Sequence, residues 1–176
     1  MINCDVLRVI IAKGSGDGNL KRISKYIGNG SPYSFSEICS SQQIMCSIGI
    51  NQEVARNIYE SKEKALILQE QLYNSEVDML WIGDDNYPTR LKKLDMGNVP
   101  AVLFYKGNYN LLKNKCVGFT GSRKVSESGI RITDSSARQL SSDGIAVVSG
   151  YAKGVDITAH RAALQSDGNT IFVIAE

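Results

Sequence analysis

An α/β protein with a parallel sheet, preceded by a small helical domain, is the fold class this sequence predicts, on three observations. Short apolar runs at 116–120, 145–149 and 170–175 alternate with helical stretches at 126–142 and 155–166, an order that demands parallel pairing through right-handed crossovers. The first two runs each end in a turn of small residues carrying one cation, Gly121-Ser122-Arg123 and Ser149-Gly150-Tyr151-Ala152-Lys153-Gly154. Upstream of about residue 75 the apolar spacing is helical instead.

The elements follow in order. Residues 1–75 read as a small helical domain of the SAM or helix-hairpin-helix kind. An apolar segment at 6–12 is interrupted by Arg8, Gly14-Ser15-Gly16-Asp17-Gly18 breaks the chain, and helices run from Leu20 to Ile27 and from about Gln52 to Tyr73. Pro32 and the serines between 31 and 41 make the middle loop-like. A glycine break between short helices is how helix-hairpin-helix modules hold DNA phosphates, but glycine is the default turn residue and a plain turn is the simpler reading. Lys62-Glu63-Lys64 reads as a solvated helix face. From Asp78 a second domain, 76–176, begins with strand-like runs at 79–82 and 101–105, expected to add strands to the sheet that follows. Ser126 offers the next helix an N-terminal cap, Ile130, Ala137 and Leu140 give it a packing stripe, and Asp143-Gly144 and Asp167-Gly168 each end a helix before an apolar strand.

Composition narrows the function classes. With 176 residues and 43% apolar content, the chain can build one ordinary domain and a small one. A net charge of +2 argues against a histone-like binder, so any anion binding must be local. Cys4, Cys39, Cys46 and Cys116 form no CxxC pair and lie far from the single histidine, which predicts reduced thiols and no metal. The first apolar run is too short to span a membrane and no cleavage pattern follows a basic start, so the expected place is the cytoplasm, with no membrane partner.

The two turns carry the chemistry. Turns at the carboxyl ends of neighbouring parallel strands open on one edge of the sheet, so Arg123 and Lys153 can converge on a single anion. Gly121, Ser122, Gly150 and Gly154 leave backbone amides unhindered, and the following helix starts add positive dipole ends. Arg123 grips a phosphate through a two-pronged guanidinium and Lys153 acts as a point charge, which suits a chain of phosphates better than one small acid. Such tracking along a single strand is independent of sequence. Neither GxGxxG nor GxxxxGK[ST] is present, which disfavours a dinucleotide fingerprint and a Walker-type site. Ser122 and Ser149 sit outside any GxSxG elbow and read as phosphate hydrogen-bonders rather than nucleophiles. Asp156 and His160, at i and i+4, share a helix face and could form a base or metal pair. The simpler reading is that Asp156 satisfies the turn while His160 hydrogen-bonds beneath it, with no catalytic residue. Trp81 and Tyr87 could stack on bases, although aromatics bordering strands are more often core.

The chain resembles the DNA-processing protein A family, also called DprA or Smf. The resemblance rests on Tyr87-Pro88-x-x-Leu91, the run Pro100 to Gly107, Gly121-Ser122-Arg123 with Ser126 and Gly129, Ser149 to Asp156, Ala159-His160, and Gly168-Asn169-Thr170-Ile171. It covers about residues 78–176 well and the helical N-terminus loosely. It implies an extended Rossmann-like domain that binds single-stranded DNA, forms homodimers and helps load the RecA recombinase during natural transformation, without enzymatic activity or a cofactor. By position, Arg123 and Lys153 would contact DNA phosphates, with Gly121, Ser122, Ser149, Gly150 and Gly154 shaping the pocket. The family's pattern continues with a glycine-containing turn after the third strand and an FPxRNR-like segment, whereas this sequence reaches Ala175-Glu176 directly after that strand. The expectation is a fragment, a naturally short relative or a chain whose dimerisation covers an unpaired apolar edge. Glu176 would place a carboxylate near the anion pocket, opposing phosphate unless it pairs with Arg123. The alternative function is a Rossmann-like small-nucleotide sensor or nucleotide-processing enzyme using the same turns.

Overall fold

A computed structural model of the chain describes residues 2–95 and 97–174 and divides into two compact units, Met1–Gly107 and Asn108–Glu176. The first unit is built from α1 (Cys4–Ile11), α2 (Asp17–Gly28), α3 (Phe35–Cys39), α4 (Gln42–Ser47), α5 (Gln52–Glu60) and α6 (Lys62–Asn74). Side-chain caps start several of them. Asn3 accepts from the amides of Asp5 and Val6, Ser34 and Glu37 form a reciprocal capping box, and Ser41 and Asn51 cap α4 and α5. Val6, Leu7, Val9, Leu20, Ile23, Ile38, Met45, Ala55 and Ile58 close a fully buried core. Arg8, read from the sequence as an interruption, lies inside it at 2% exposure. Its guanidinium donates to Asp5 at 2.8 Å and to the carbonyls of Cys39 at 2.6 Å, Tyr59 at 3.3 Å and Ile58 at 3.4 Å.

Three sequence expectations are corrected in this unit. The long helix from Gln52 to Tyr73 is two helices divided at Ser61, whose buried hydroxyl donates to the Asn57 carbonyl at 2.6 Å. The loop-like middle holds α3 and α4, because the Ser34–Glu37 box and the Ser41 cap satisfy their first amides. The runs at 79–82 and 101–105 do not join the parallel sheet. They form β1 (Asp78–Trp81) and β2 (Val102–Tyr105), an antiparallel pair of their own with Asp78 opposite Tyr105 and Trp81 opposite Val102. The pair belongs with the helices because Met79, Trp81 and Ala101 enter the same core, and the Asp17 carboxylate accepts the Ala101 amide at 2.9 Å. Trp81 packs edge-on against Phe35 at 4.8 Å, and Tyr87, 1% exposed beside the short α7 (Thr89–Lys92), donates its hydroxyl to the Pro100 carbonyl. Both aromatics are core, as the simpler reading had it.

The thiols differ sharply in setting. Cys46 and Cys116 are exposed and Cys39 is fully buried, with burial pushing its thiol up to about 12. A thiol whose proton is held more tightly in the folded state contributes stability that is complete below the unfolded value near 9.0 and is lost as pH rises toward about 12. Unfolding free energy should therefore fall through that window by about 1.4 kcal/mol per pH unit, and Cys39→Ala should flatten the slope. Urea titrations at successive pH values test this. An unchanged slope in the variant would assign the alkaline loss elsewhere.

The second unit opens with a 3-10 turn at Tyr109–Lys113 and continues β3 (Cys116–Gly118), α8 (Glu127–Ser142), β4 (Ala146–Ser149), α9 (Val155–Gln165) and β5 (Thr170–Phe172). The strands pair in parallel in the order β3-β4-β5, with Val117 opposite Val147 and Val147 opposite Thr170. Ser126 caps α8 through the Gly129 amide at 3.2 Å, and Asp143 ends it. The ladder runs one residue further at each strand end, through Phe119 amide to Val148 carbonyl at 2.8 Å and Val173 amide to Ser149 carbonyl at 2.9 Å. Ala137, Ala159, Ala162 and Ala163 let α8 and α9 approach each other closely over Val147, with Phe119 packed alongside. Small side chains on two helices and a β-branched residue beneath them make a thin, close core. The expected third strand reached Ala175, which, like Glu176, lies outside the described residues. Among the described residues no helix is long and apolar enough to cross a membrane.

Candidate anion-binding site

Parallel pairing of β3 with β4 brings both small-residue turns to one edge of the sheet, where their backbones interlock. Gly154 has φ +87°, and a Cβ there would lie 2.2 Å from the Ser122 carbonyl oxygen and 3.0 Å from the Arg123 Cα. Gly121 answers from the other side, where a Cβ would lie 2.5 Å from Val155 Cγ2, and the Val155 amide donates to the Ser122 carbonyl at 3.3 Å. Only residues without a Cβ allow this approach. Lys153, one residue before Gly154, is thereby carried next to the backbone of Arg123.

Both cations are exposed, and among the described residues neither makes an ion pair or hydrogen bond. Ser122 shapes its own turn, its hydroxyl accepting the Lys124 amide and donating to the Lys124 carbonyl, each at 3.0 Å. Lys124 is exposed beside Arg123 and adds a third cation that sequence reasoning passed over, although the adjacent basic pair was there to be read. Ser149 is 5% exposed and donates inward to the Phe119 carbonyl at 2.7 Å, tying the end of β4 to the end of β3. Gly150 is exposed, with the Asp156 carboxylate against it.

Asp156 serves this turn from α9, and His160 ties α9 to β5 beside it. Asp156 Oδ2 accepts the Ala152 amide at 3.4 Å, holding the loop over the helix start. His160 is 1% exposed, and its Nδ1 lies 2.6 Å from the Thr170 hydroxyl, which itself donates to the Val147 carbonyl at 3.0 Å. That hydroxyl has one proton, so Nδ1 carries the imidazole proton, and the buried Nε2 has no hydrogen-bond partner among the described residues. Burial pushes the histidine pKa down, against the opposing pull of the Ser149 backbone and the Asp156 carboxylate. The imidazole stacks on Phe172 at 3.8 Å, and Tyr151, at φ +64°, meets Phe172 edge-on at 5.2 Å. This aromatic group was not legible in the sequence, because it joins residues from three separate elements. Among the described residues no His, Cys, Asp and Glu cluster is suited to a metal ion.

Residues 78–176, the β1–β2 pair and the whole parallel sheet with both turns, match the model of the DNA recombination-mediator protein A family. The chain belongs to that family. Among its relatives, the DNA processing protein DprA of Streptococcus pneumoniae is 44% identical over 91 residues, 52% of this chain and 31% of that protein. DprA of Bacillus subtilis is 34% identical over 100 residues, 56% of this chain and 33% of that protein. The protein Smf of Borreliella burgdorferi is 31% identical over 112 residues, 63% and 35% respectively. The matched part of the chain thus spans about a third of the length of these relatives. The solved structure of DNA processing protein A from Streptococcus pneumoniae superposes with a TM-score of 0.76 at 30% identity, over 98% of this chain and 58% of that one. The predicted α/β class is therefore the class of the family's solved fold.

Proposed function

We propose that this chain binds single-stranded DNA through the interlocked turns around Gly121-Ser122-Arg123 and Gly150 to Gly154, with Lys124 as an added contact. It acts in DNA uptake, natural transformation and recombination, working in the cytoplasm as a homodimer that helps load a RecA-type recombinase, and performs no chemistry of its own. The observation that carries this reading is the seating of Gly154 on the Ser122–Arg123 backbone, which puts two exposed cations, unpaired among the described residues, on one edge. An open edge with adjacent cations suits a continuous phosphate backbone, where an enclosed pocket would suit a single small anion. Membership in a family of DNA recombination mediators supports the same ligand. The engagement of Asp156 with the turn amide of Ala152, and of His160 with the Thr170 hydroxyl, supports a binding role over catalysis.

Arg123→Ala and Lys153→Ala should each weaken binding of every oligonucleotide sequence alike, by about tenfold at low salt, as removal of one charge-assisted hydrogen bond predicts. A thermal-shift series separates DNA from a small nucleotide. Oligothymidine should raise the melting temperature in a concentration-dependent way and a mononucleotide should not, because a ligand stabilises only the state that binds it. Stabilisation by the mononucleotide alone would instead favour a nucleotide sensor or nucleotide-processing enzyme.

A further inference from the structure

We infer that Tyr151 and Phe172 form a base-stacking shelf beside the cationic turns, so that the edge reads nucleobases of a single strand as well as its phosphates. The inference rests on the single-strand reading above and adds a second ligand group to it. Tyr151 is a bulky residue in left-handed backbone, a conformation costing on the order of 1 kcal/mol or more, yet the residue is 55% exposed. Core packing does not account for it. Phe172, 42% exposed, supports that ring edge-on and is itself stacked on the buried imidazole of His160. His160 is fixed in turn through Thr170 to the Val147 carbonyl. The exposed rings are thus held from below by a chain of contacts anchored in the central strand, so little side-chain freedom is lost when a flat partner lands on them.

Placement completes the case. Tyr151 lies two residues before Lys153 in the same turn, and Phe172 is the ladder partner of Ser149 at the start of that turn. With neighbouring strands about 4.8 Å apart, β3, which leads to Arg123, and β5, which carries Phe172, run about 10 Å apart on either side of β4. A strand crossing the edge can set phosphates on Arg123 and Lys153 and a base on the rings. Cationic grooves combined with aromatic platforms are the general solution for holding single strands without sequence preference.

The test uses the full chain and two oligomers of equal length and charge, oligothymidine and an abasic phosphate backbone, followed by anisotropy at low salt. Wild type should prefer oligothymidine by about tenfold, the equivalent of one stacked base. Tyr151→Leu should abolish that preference by lowering oligothymidine affinity more than abasic affinity, and Tyr151→Phe should retain it. A 2-aminopurine strand should be quenched on binding wild type, which reports stacking independently of how the leucine variant folds. Equal wild-type affinity for the two oligomers, without quenching, overturns the shelf and leaves the phosphate reading standing. A fall of both affinities by the same factor in a folded Tyr151→Leu also overturns it, and a change of oligomeric state in that variant would reassign the rings to a protein contact. Failure of both oligomers to bind wild type overturns both readings.

Discussion

Gly154→Ala is expected to cost the second unit about 3 kcal/mol of stability and to abolish DNA binding with it. The left-handed φ of +87° with ψ of −124° is a conformation that residues with a Cβ avoid, costing about 1–3 kcal/mol alone. The added carbon would also stand 2.2 Å from the Ser122 carbonyl oxygen, against backbone rather than a side chain that could turn away. Relief requires the first turn to part from the second, and that separation moves Arg123 from Lys153. Urea unfolding followed by circular dichroism gives the stability change, and anisotropy gives the affinity. A shift under about 0.5 kcal/mol, the range of ordinary surface substitutions, would contradict the interlock.

Arg8→Leu should destabilise the helical unit by about 3–5 kcal/mol, the usual consequence of removing one partner from a buried ionic network. The substitution leaves the Asp5 carboxylate and the carbonyls of Cys39, Ile58 and Tyr59 without the donor that joins α1 to the ends of α3 and α5. Each acceptor left dry adds its own desolvation cost. Lysine should not rescue it, because a single ammonium cannot reproduce the planar fork that reaches all four acceptors. Thermal melts of the leucine and lysine variants check this. Retention of wild-type stability by either would show that the network contributes little.

The parallel sheet was legible because its signals are local. Ser126 at a helix start, Asp143-Gly144 at its end and three short apolar runs fix the order of elements, with bounds within two residues except at the end of the third strand, expected at Ala175 and observed at Phe172. The first unit was less legible because its decisive contacts join distant residues. Nothing in the run from Gln52 to Tyr73 announces a break, since Ser61 makes it by bonding back to Asn57 without glycine or proline. The Ser34–Glu37 box was readable, and the serine-rich composition around it obscured it. Arg8 looked like a flaw in an apolar helix because its three carbonyl partners lie 31 to 51 residues away. The β1–β2 runs looked like further strands of the sheet, and the composition change near residue 75 placed the boundary ahead of them. The compact units divide after Gly107, with the Asp17 carboxylate tying the hairpin to α2, while the family match begins at residue 78. At the candidate site, sequence indicated that two turns would open on one edge. It did not indicate that Gly121 and Gly154 pack each turn into the other, or that Tyr151, His160 and Phe172 would meet beside them.

The central claim, that one edge built from two interlocked turns holds the phosphates of a single strand, is tested most directly by the salt dependence of oligothymidine binding. Anisotropy titrations from low to moderate salt should give a linear fall of log affinity with log salt for wild type. The Arg123→Ala/Lys153→Ala double variant should bind more weakly with a slope shallower by about 1.4, or about 0.7 for each phosphate no longer neutralised. The same affinity and slope in both proteins would contradict the claim and place any DNA binding elsewhere on the chain.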